Sequence, residues 1–77
     1  MATYHYNIHL KEEPEGGYTV TVPALPGCVT YGKTVAEAKR MATEAIEAYL
    51  VSMQKHDEVP FSDNDSLLTS VDVALGV

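Results

Sequence analysis

Apolar and polar residues alternate at the beginning of the chain, as in a half-buried β-strand. From Thr3 to Leu10, one face of this predicted strand carries Tyr4, Tyr6, Ile8 and Leu10. The polar stretch Lys11–Gly17 contains a proline and ends in two glycines, which is typical of a hairpin loop. The alternation resumes from Tyr18 to Val22, and Pro23 ends it because proline has no N–H to donate. The first 22 residues therefore predict a β-hairpin.

A third strand and a long helix follow the hairpin. The pattern predicts a turn over Ala24–Gly27 and a short strand over Cys28–Tyr31. Thr34 is a favourable helix N-cap, and Glu37 three residues later completes a capping box. Apolar residues then recur with the spacing of an amphipathic helix that ends near Lys55: Val35, Ala38, Met41, Ala42, Ala45, Ile46, Tyr49, Leu50 and Met53.

The remaining residues predict a loop and a final strand. His56–Ser66 is polar and acidic and contains Pro60, whereas Leu67–Val77 alternates again. The predicted order is β-β-β-α-β, an α+β fold with a three-stranded antiparallel meander, one helix and a final strand. A right-handed crossover would make that strand parallel to the first. We expect residues 1–77 to form a single domain.

Size and charge narrow the possible partners. A domain of 77 residues buries only about 60% of its unfolded surface, and one cysteine with three scattered histidines provides neither a disulfide nor a zinc site. Oligomerisation is the remaining source of stability, so we expect a homo-oligomer, either a dimer or a tetramer. The net charge of −6 disfavours direct contact with nucleic acid and favours a basic partner.

The sequence indicates a cytoplasmic protein without a membrane segment. No apolar run approaches the length that spans a bilayer, and Met1–Lys11 lacks the apolar core of a signal peptide. A free cysteine is typical of a reducing compartment.

Nothing in the pattern predicts catalysis, a cofactor or a metal site. The acidic residues fall in predicted loops and on the outer helix face, where charge normally meets water. Cys28 has no neighbouring base in the sequence and is more simply a small buried side chain. We therefore expect a binding protein and not an enzyme.

The turn from Pro23 to Gly27 has two interpretations, which the sequence does not separate. It could present Leu25 outward as a rigid apolar contact between two prolines, or it could merely redirect the chain between strands. The first interpretation, together with the acidic helix face, predicts a partner-binding surface made of Pro23, Leu25, Pro26, Glu44 and Glu47.

The order of these parts resembles that of a known family. Gly16-Gly17-Tyr18, Pro26-Gly27-Cys28, Tyr31-Gly32, Thr34 and Glu37-Ala38 follow one another as in HicB-like antitoxins, which have a truncated, partial ribonuclease-H-like fold. The resemblance implies a protein that neutralises a HicA-type toxin, a small basic protein that cleaves messenger RNA, by binding it directly.

Two further expectations accompany this resemblance. Many HicB-like proteins carry a DNA-binding segment after the sheet domain, but this chain reaches Val77 directly after its last predicted strand. We therefore expect no separate DNA-binding domain. The alternative function is a stand-alone, homo-oligomeric HicB-like domain of unknown role that is not an enzyme.

Overall fold

Three short strands pair side by side in an antiparallel sheet, and one helix packs against it. In the computed structural model, which describes residues 2–76, the elements are β1 (His9–Glu12), β2 (Tyr18–Thr21), β3 (Val29–Gly32) and α1 (Val35–Lys55). The strands lie in the order β1-β2-β3. The α+β class, the antiparallel meander and the single helix are confirmed.

The first strand is shorter and later than the alternation predicts. The alternation predicts a strand from Thr3 to Leu10, whereas the ladder begins at His9, opposite Thr21, and continues to Glu12. In this register Asn7 would face Pro23, which cannot donate to a ladder, so pairing cannot extend toward residue 3. The predicted inner face is retained, since Tyr6, Ile8 and Leu10 are all partly buried against the core.

The turn between β1 and β2 depends on its two glycines. Gly16 and Gly17 have φ of 101° and 81°, a region that glycine adopts without steric cost. A side chain at Gly17 would also collide with the ring of Tyr31 on β3. The Tyr31 hydroxyl donates to the Gly16 carbonyl at 2.9 Å, so the third strand fastens the turn between the first two.

The helix begins as predicted. The Thr34 hydroxyl accepts a hydrogen bond from the Glu37 N–H at 3.1 Å, and the Glu37 carboxylate accepts one from the Lys33 N–H at 2.8 Å. These contacts satisfy donors that a helix N-terminus leaves free. Ala38 and Ala42 then form a buried cluster with Val20, because their small side chains let α1 approach the sheet closely.

The predicted final strand does not form within the described residues. Residues 67–76 belong to neither helix nor strand, and Leu67, Val71, Val73 and Leu75 are 78–86% exposed. A strand needs a neighbour for its backbone groups, and no ladder in residues 2–76 reaches this segment. Val77 lies outside the described residues. We call residues 67–76 the tail.

The tail gives the molecule an elongated shape. Its radius of gyration is 15.0 Å, against about 11 Å for a compact chain of this length. Before the tail begins, residues 61–66 run beside residues 5–7 and are hydrogen-bonded to them. We call this contact the clasp.

Candidate functional site

The loop between β2 and β3 covers the core and does not present an apolar side chain to solvent. Leu25 is only 1% exposed and packs with Val22 and Cys28, so of the two interpretations of this turn the outward-facing one is wrong. Two consecutive turns fold it inward: the Leu25 N–H donates to the Val22 carbonyl at 3.0 Å, and the Cys28 N–H donates to the Leu25 carbonyl at 3.0 Å. The structure thus favours a chain-redirecting turn.

The two prolines of this loop do lie at the surface. Pro23 and Pro26 are both exposed. The Pro26 carbonyl accepts a hydrogen bond from the Tyr49 hydroxyl at 3.1 Å, which attaches the loop to the second half of α1. The exposed part of the loop is therefore a rigid patch held against the helix.

The two acidic residues of the predicted surface differ in their surroundings. Glu44 and Glu47 are both exposed on α1. Arg40 lies between two carboxylates, 3.6 Å from Glu44 and 3.8 Å from Glu37, and ion pairs this exposed add little stability. Glu47 instead borders a groove on the side of the helix. Of the five predicted residues, Leu25 is therefore interior, whereas Pro23, Pro26, Glu44 and Glu47 are exposed.

An open groove of about 750 Å³ lies between the N-terminal segment and the helix. One wall is made by residues 2–6 and Ile8, and the other by Lys39, Ala42, Thr43, Ile46, Glu47 and Leu50. We call it the open groove. Local patterns do not single out this groove, although a signal exists. The apolar alternation begins at Tyr4, whereas pairing with β2 begins only at His9.

Asp63 holds the clasp together. Its N–H donates to the His5 carbonyl at 2.7 Å, and its carboxylate accepts from the Asn7 amide at 3.2 Å. Hydrogen bonds from Ser66 and from Asn7 lower the pKa of this carboxyl below its ordinary value, although partial burial opposes the shift. Asp63 is 7% exposed, so the expectation that the acidic loop is uniformly solvated is wrong at this position.

An aromatic contact accompanies the clasp. The rings of Tyr6 and Phe61 meet edge to face with their centroids 6.0 Å apart. The Tyr6 hydroxyl donates to the Phe61 carbonyl. Together with Asp63, these residues fix the point from which the tail departs.

Cys28 is a buried free thiol, as the sequence analysis predicts. Burial raises the pKa of this thiol, which disfavours the reactive thiolate. Among residues 2–76, no three His, Cys, Asp or Glu side chains lie close enough to hold a metal ion together. In the described part of the chain, no helix is both long enough and apolar enough to cross a membrane.

Known proteins give an independent comparison. Residues 4–73 match the profile of the HicB-like antitoxin of bacterial toxin-antitoxin systems. The chain is 45% identical over 64 residues to a UPF0150 protein of Thermoplasma acidophilum, covering 83% of this chain and 93% of that one. A UPF0150 protein of Synechocystis is 43% identical over 61 residues, or 78% of this chain and 77% of its own length.

A relative that bears the antitoxin name matches a shorter region. Antitoxin HicB of Escherichia coli K12 is 44% identical over 41 residues, which are 53% of this chain but 30% of that protein. The profile match covers the sheet, the helix, the clasp and most of the tail. The chain therefore belongs to the HicB-like antitoxin family.

Proposed function

We propose that this protein is an antitoxin that binds a small basic HicA-type toxin and so prevents the toxin from cleaving messenger RNA. The observation that carries the proposal is the match of residues 4–73 to the HicB-like antitoxin family. The fold gives the proposal a physical basis, because a small sheet covered by one helix offers exposed surfaces for a partner protein. Family membership also supports a binding role and not an enzymatic one.

The charge of the chain supports a basic partner. The net charge is −6, and Glu44 and Glu47 are two exposed acidic residues on α1. Opposite charges on two proteins accelerate their encounter and do so less as salt increases. Direct binding of nucleic acid would require the reverse charge.

We place the toxin contact on the exposed helix face and the adjoining rigid loop. Glu44 and Glu47 would meet cationic side chains of the toxin, and Pro23 and Pro26 would add contacts that cost little conformational entropy. Leu25 supports this surface from beneath by packing against the helix. A free, buried Cys28 suits a reducing compartment, so we place the complex in the cytoplasm.

The test begins with capture of the tagged chain from a native lysate at low salt. A small basic companion in equal amount is then purified and assayed for cleavage of messenger RNA, with and without the antitoxin. The proposal predicts that the companion cleaves RNA and that the chain stops cleavage at a 1:1 ratio. A companion without ribonuclease activity, or activity that the chain leaves unchanged, would contradict the proposal.

A pair of charge variants then tests the surface. E44K/E47K should slow association with the toxin and reduce its salt dependence. The matched control is E58K/D65K, which makes the same change in net charge in the exposed loop after the helix. Equal effects of the two variants would show that only net charge matters and would remove the helix face from the proposal.

One observation favours a second candidate function, a homo-oligomeric domain with another role. The tail leaves large apolar side chains in water, which is unusual for a chain that acts as a monomer. Light scattering on the purified chain shows whether it assembles, and the RNA-cleavage assay then decides whether the assembled protein acts as an antitoxin or has another role.

A further inference from the structure

The tail has the pattern of a strand but has no neighbour in its own chain. Four large apolar side chains alternate along one face, at Leu67, Val71, Val73 and Leu75, and all are largely exposed. Ser70 and Asp72 lie on the opposite face. As a strand, the ten residues 67–76 would span about 33 Å. Such a segment with one apolar face is typical of a strand that completes a sheet elsewhere.

The open groove of the same chain is a surface on which such a strand could pack. The open groove is lined largely by apolar atoms of the N-terminal segment and by Ala42, Ile46 and Leu50 of α1. Within residues 2–76, no backbone hydrogen bond joins residues 2–4 to another part of the chain. The groove therefore offers both an apolar surface and unpaired backbone groups to an added strand.

The clasp sets the direction in which the tail leaves. Asp63 lies beside His5, and Ser66 lies beside Asn7, where the Asn7 amide donates to the Ser66 carbonyl at 2.9 Å. Residues 63–66 thus run in the same direction as residues 5–7, toward β1 and away from the end of the groove near Tyr4. To enter its own groove, the tail would have to reverse immediately after Ser66.

The structure contains no such reversal, since residues 66–76 form neither a turn nor a bend. The tail also lacks proline and has its one glycine at position 76. A tail that continues straight leaves its own groove empty and is free to reach the groove of a neighbour.

The distribution of charge indicates whether the tail fits a second copy of the chain or a basic toxin. Two copies with a net charge of −6 repel each other, and surfaces with little net charge reduce that repulsion. The tail has one acidic residue, Asp72, and besides tyrosines the titratable residues that line the open groove are His5, Lys39 and Glu47. A basic toxin would be drawn instead to the acidic helix face.

We infer that the tail of one copy inserts as a strand into the open groove of a second copy, and that the second copy returns its own tail in the same way. This reciprocal exchange forms a closed two-fold dimer in which neither tail nor groove remains exposed. It goes beyond the proposed antitoxin function and does not depend on toxin binding.

The first test measures assembly of the purified chain without toxin. Light scattering should give twice the chain mass of 8.4 kDa, with dissociation only on strong dilution. V71D/V73D places two charges on the apolar face of the tail and should weaken the dimer roughly tenfold or more. S70D/A74D adds the same charge to the opposite face and should leave the dimer intact.

Circular dichroism accompanies these measurements. Because Val71 and Val73 lie outside both core clusters, V71D/V73D should retain the helix signal of the parent protein. A parent chain that is monomeric at every concentration would overturn the inference, as would equal weakening by the two tail variants.

The second test identifies which copy supplies the tail. A chain with Val73→Cys is mixed with a larger tagged chain that carries Thr43→Cys in the groove wall, and the mixture is mildly oxidised. A disulfide between the two chains is expected. Ala48→Cys replaces Thr43→Cys in the control, because Ala48 is exposed on the same helix but does not line the groove.

Two outcomes of the cysteine test would reject the exchanged dimer. If one chain carrying both Val73→Cys and Thr43→Cys closes an internal disulfide at high dilution, the tail covers its own groove. If toxin is added and only then blocks labelling of Val73→Cys by a thiol reagent, the tail is a toxin-binding segment. Toxin binding is measured separately on Glu44→Lys, whose side chain does not line the open groove, so failure of one proposal leaves the other standing.

Discussion

Gly32 at the end of β3 lies directly against the backbone of Ala38 in the first turns of α1. A Cβ at position 32 would collide with the Ala38 nitrogen and α-carbon, which cannot move aside as the end of a flexible side chain could. Both residues are buried. The contact sets the distance between helix and sheet, so the size of residue 32 controls how closely the core can pack.

We expect Gly32→Ala to destabilise the protein by at least about 1–3 kcal/mol, the usual cost of forcing extra volume into a packed site. Urea unfolding followed by circular dichroism measures the change. Gly76→Ala is the control, because nothing lies within 4 Å of its Cβ position. A Gly32→Ala protein as stable as the parent would show that the sheet and helix are not in this close contact.

Leu25→Ala should cost about 2–5 kcal/mol, because it leaves a cavity among Val22, Cys28 and the second half of α1. Val29→Ala, at a side chain that is 58% exposed, should change the free energy of unfolding much less. Chemical denaturation of both variants tests the burial of the loop. A small effect of Leu25→Ala would restore the outward orientation that the prolines suggest.

Asp63 should make stability depend on acid pH. Its folded pKa is lowered from the ordinary value of 3.8, so the folded state binds fewer protons than the unfolded state in that range. Its contribution is therefore complete above pH 3.8 and is lost as the pH falls through the lowered folded value.

The measurement is the melting temperature of the parent and of Asp63→Asn from neutral to acid pH. The variant should melt lower at neutral pH and should lack this part of the acid dependence. Asp65→Asn, at an exposed position in the same loop, should follow the parent. Identical profiles for the parent and Asp63→Asn would show that the clasp does not depend on this carboxylate.

Cys28 should react slowly with iodoacetamide in the folded protein. The thiol is buried, and its raised pKa keeps it protonated, whereas alkylation requires the thiolate. Mass spectrometry should show rapid modification only when urea unfolds the chain. In the comparison variant C28A/V29C, the exposed cysteine should react without urea, and equally fast labelling of native Cys28 would contradict its burial.

The sequence predicts those features that depend on local patterns. The helix from Val35 to Lys55, its Thr34 cap and the antiparallel hairpins follow from periodicity and from residue types within a few positions. The family resemblance likewise depends on short motifs, and the profile match confirms it.

The predictions from sequence are wrong at residues whose surroundings are set by distant parts of the chain. Leu25 turns inward because the helix provides an apolar surface some twenty residues later, which no pattern within Pro23–Gly27 records. Asp63 resembles its solvated neighbours in the sequence, but Asn7 and His5 reach it from the other end of the chain. The alternation from Leu67 onward correctly identifies a strand-like pattern but cannot specify what the strand pairs with.

The clasp has a consequence for the order in which the protein folds. Each hairpin and the packing of β3 against α1 join neighbouring stretches of chain, whereas the hydrogen bond between His5 and Ser62 spans 57 residues. Closing so long a loop carries a larger entropic cost than closing a turn. The clasp should therefore close late during folding, and it should be the first long-range contact to open while sheet and helix remain in place.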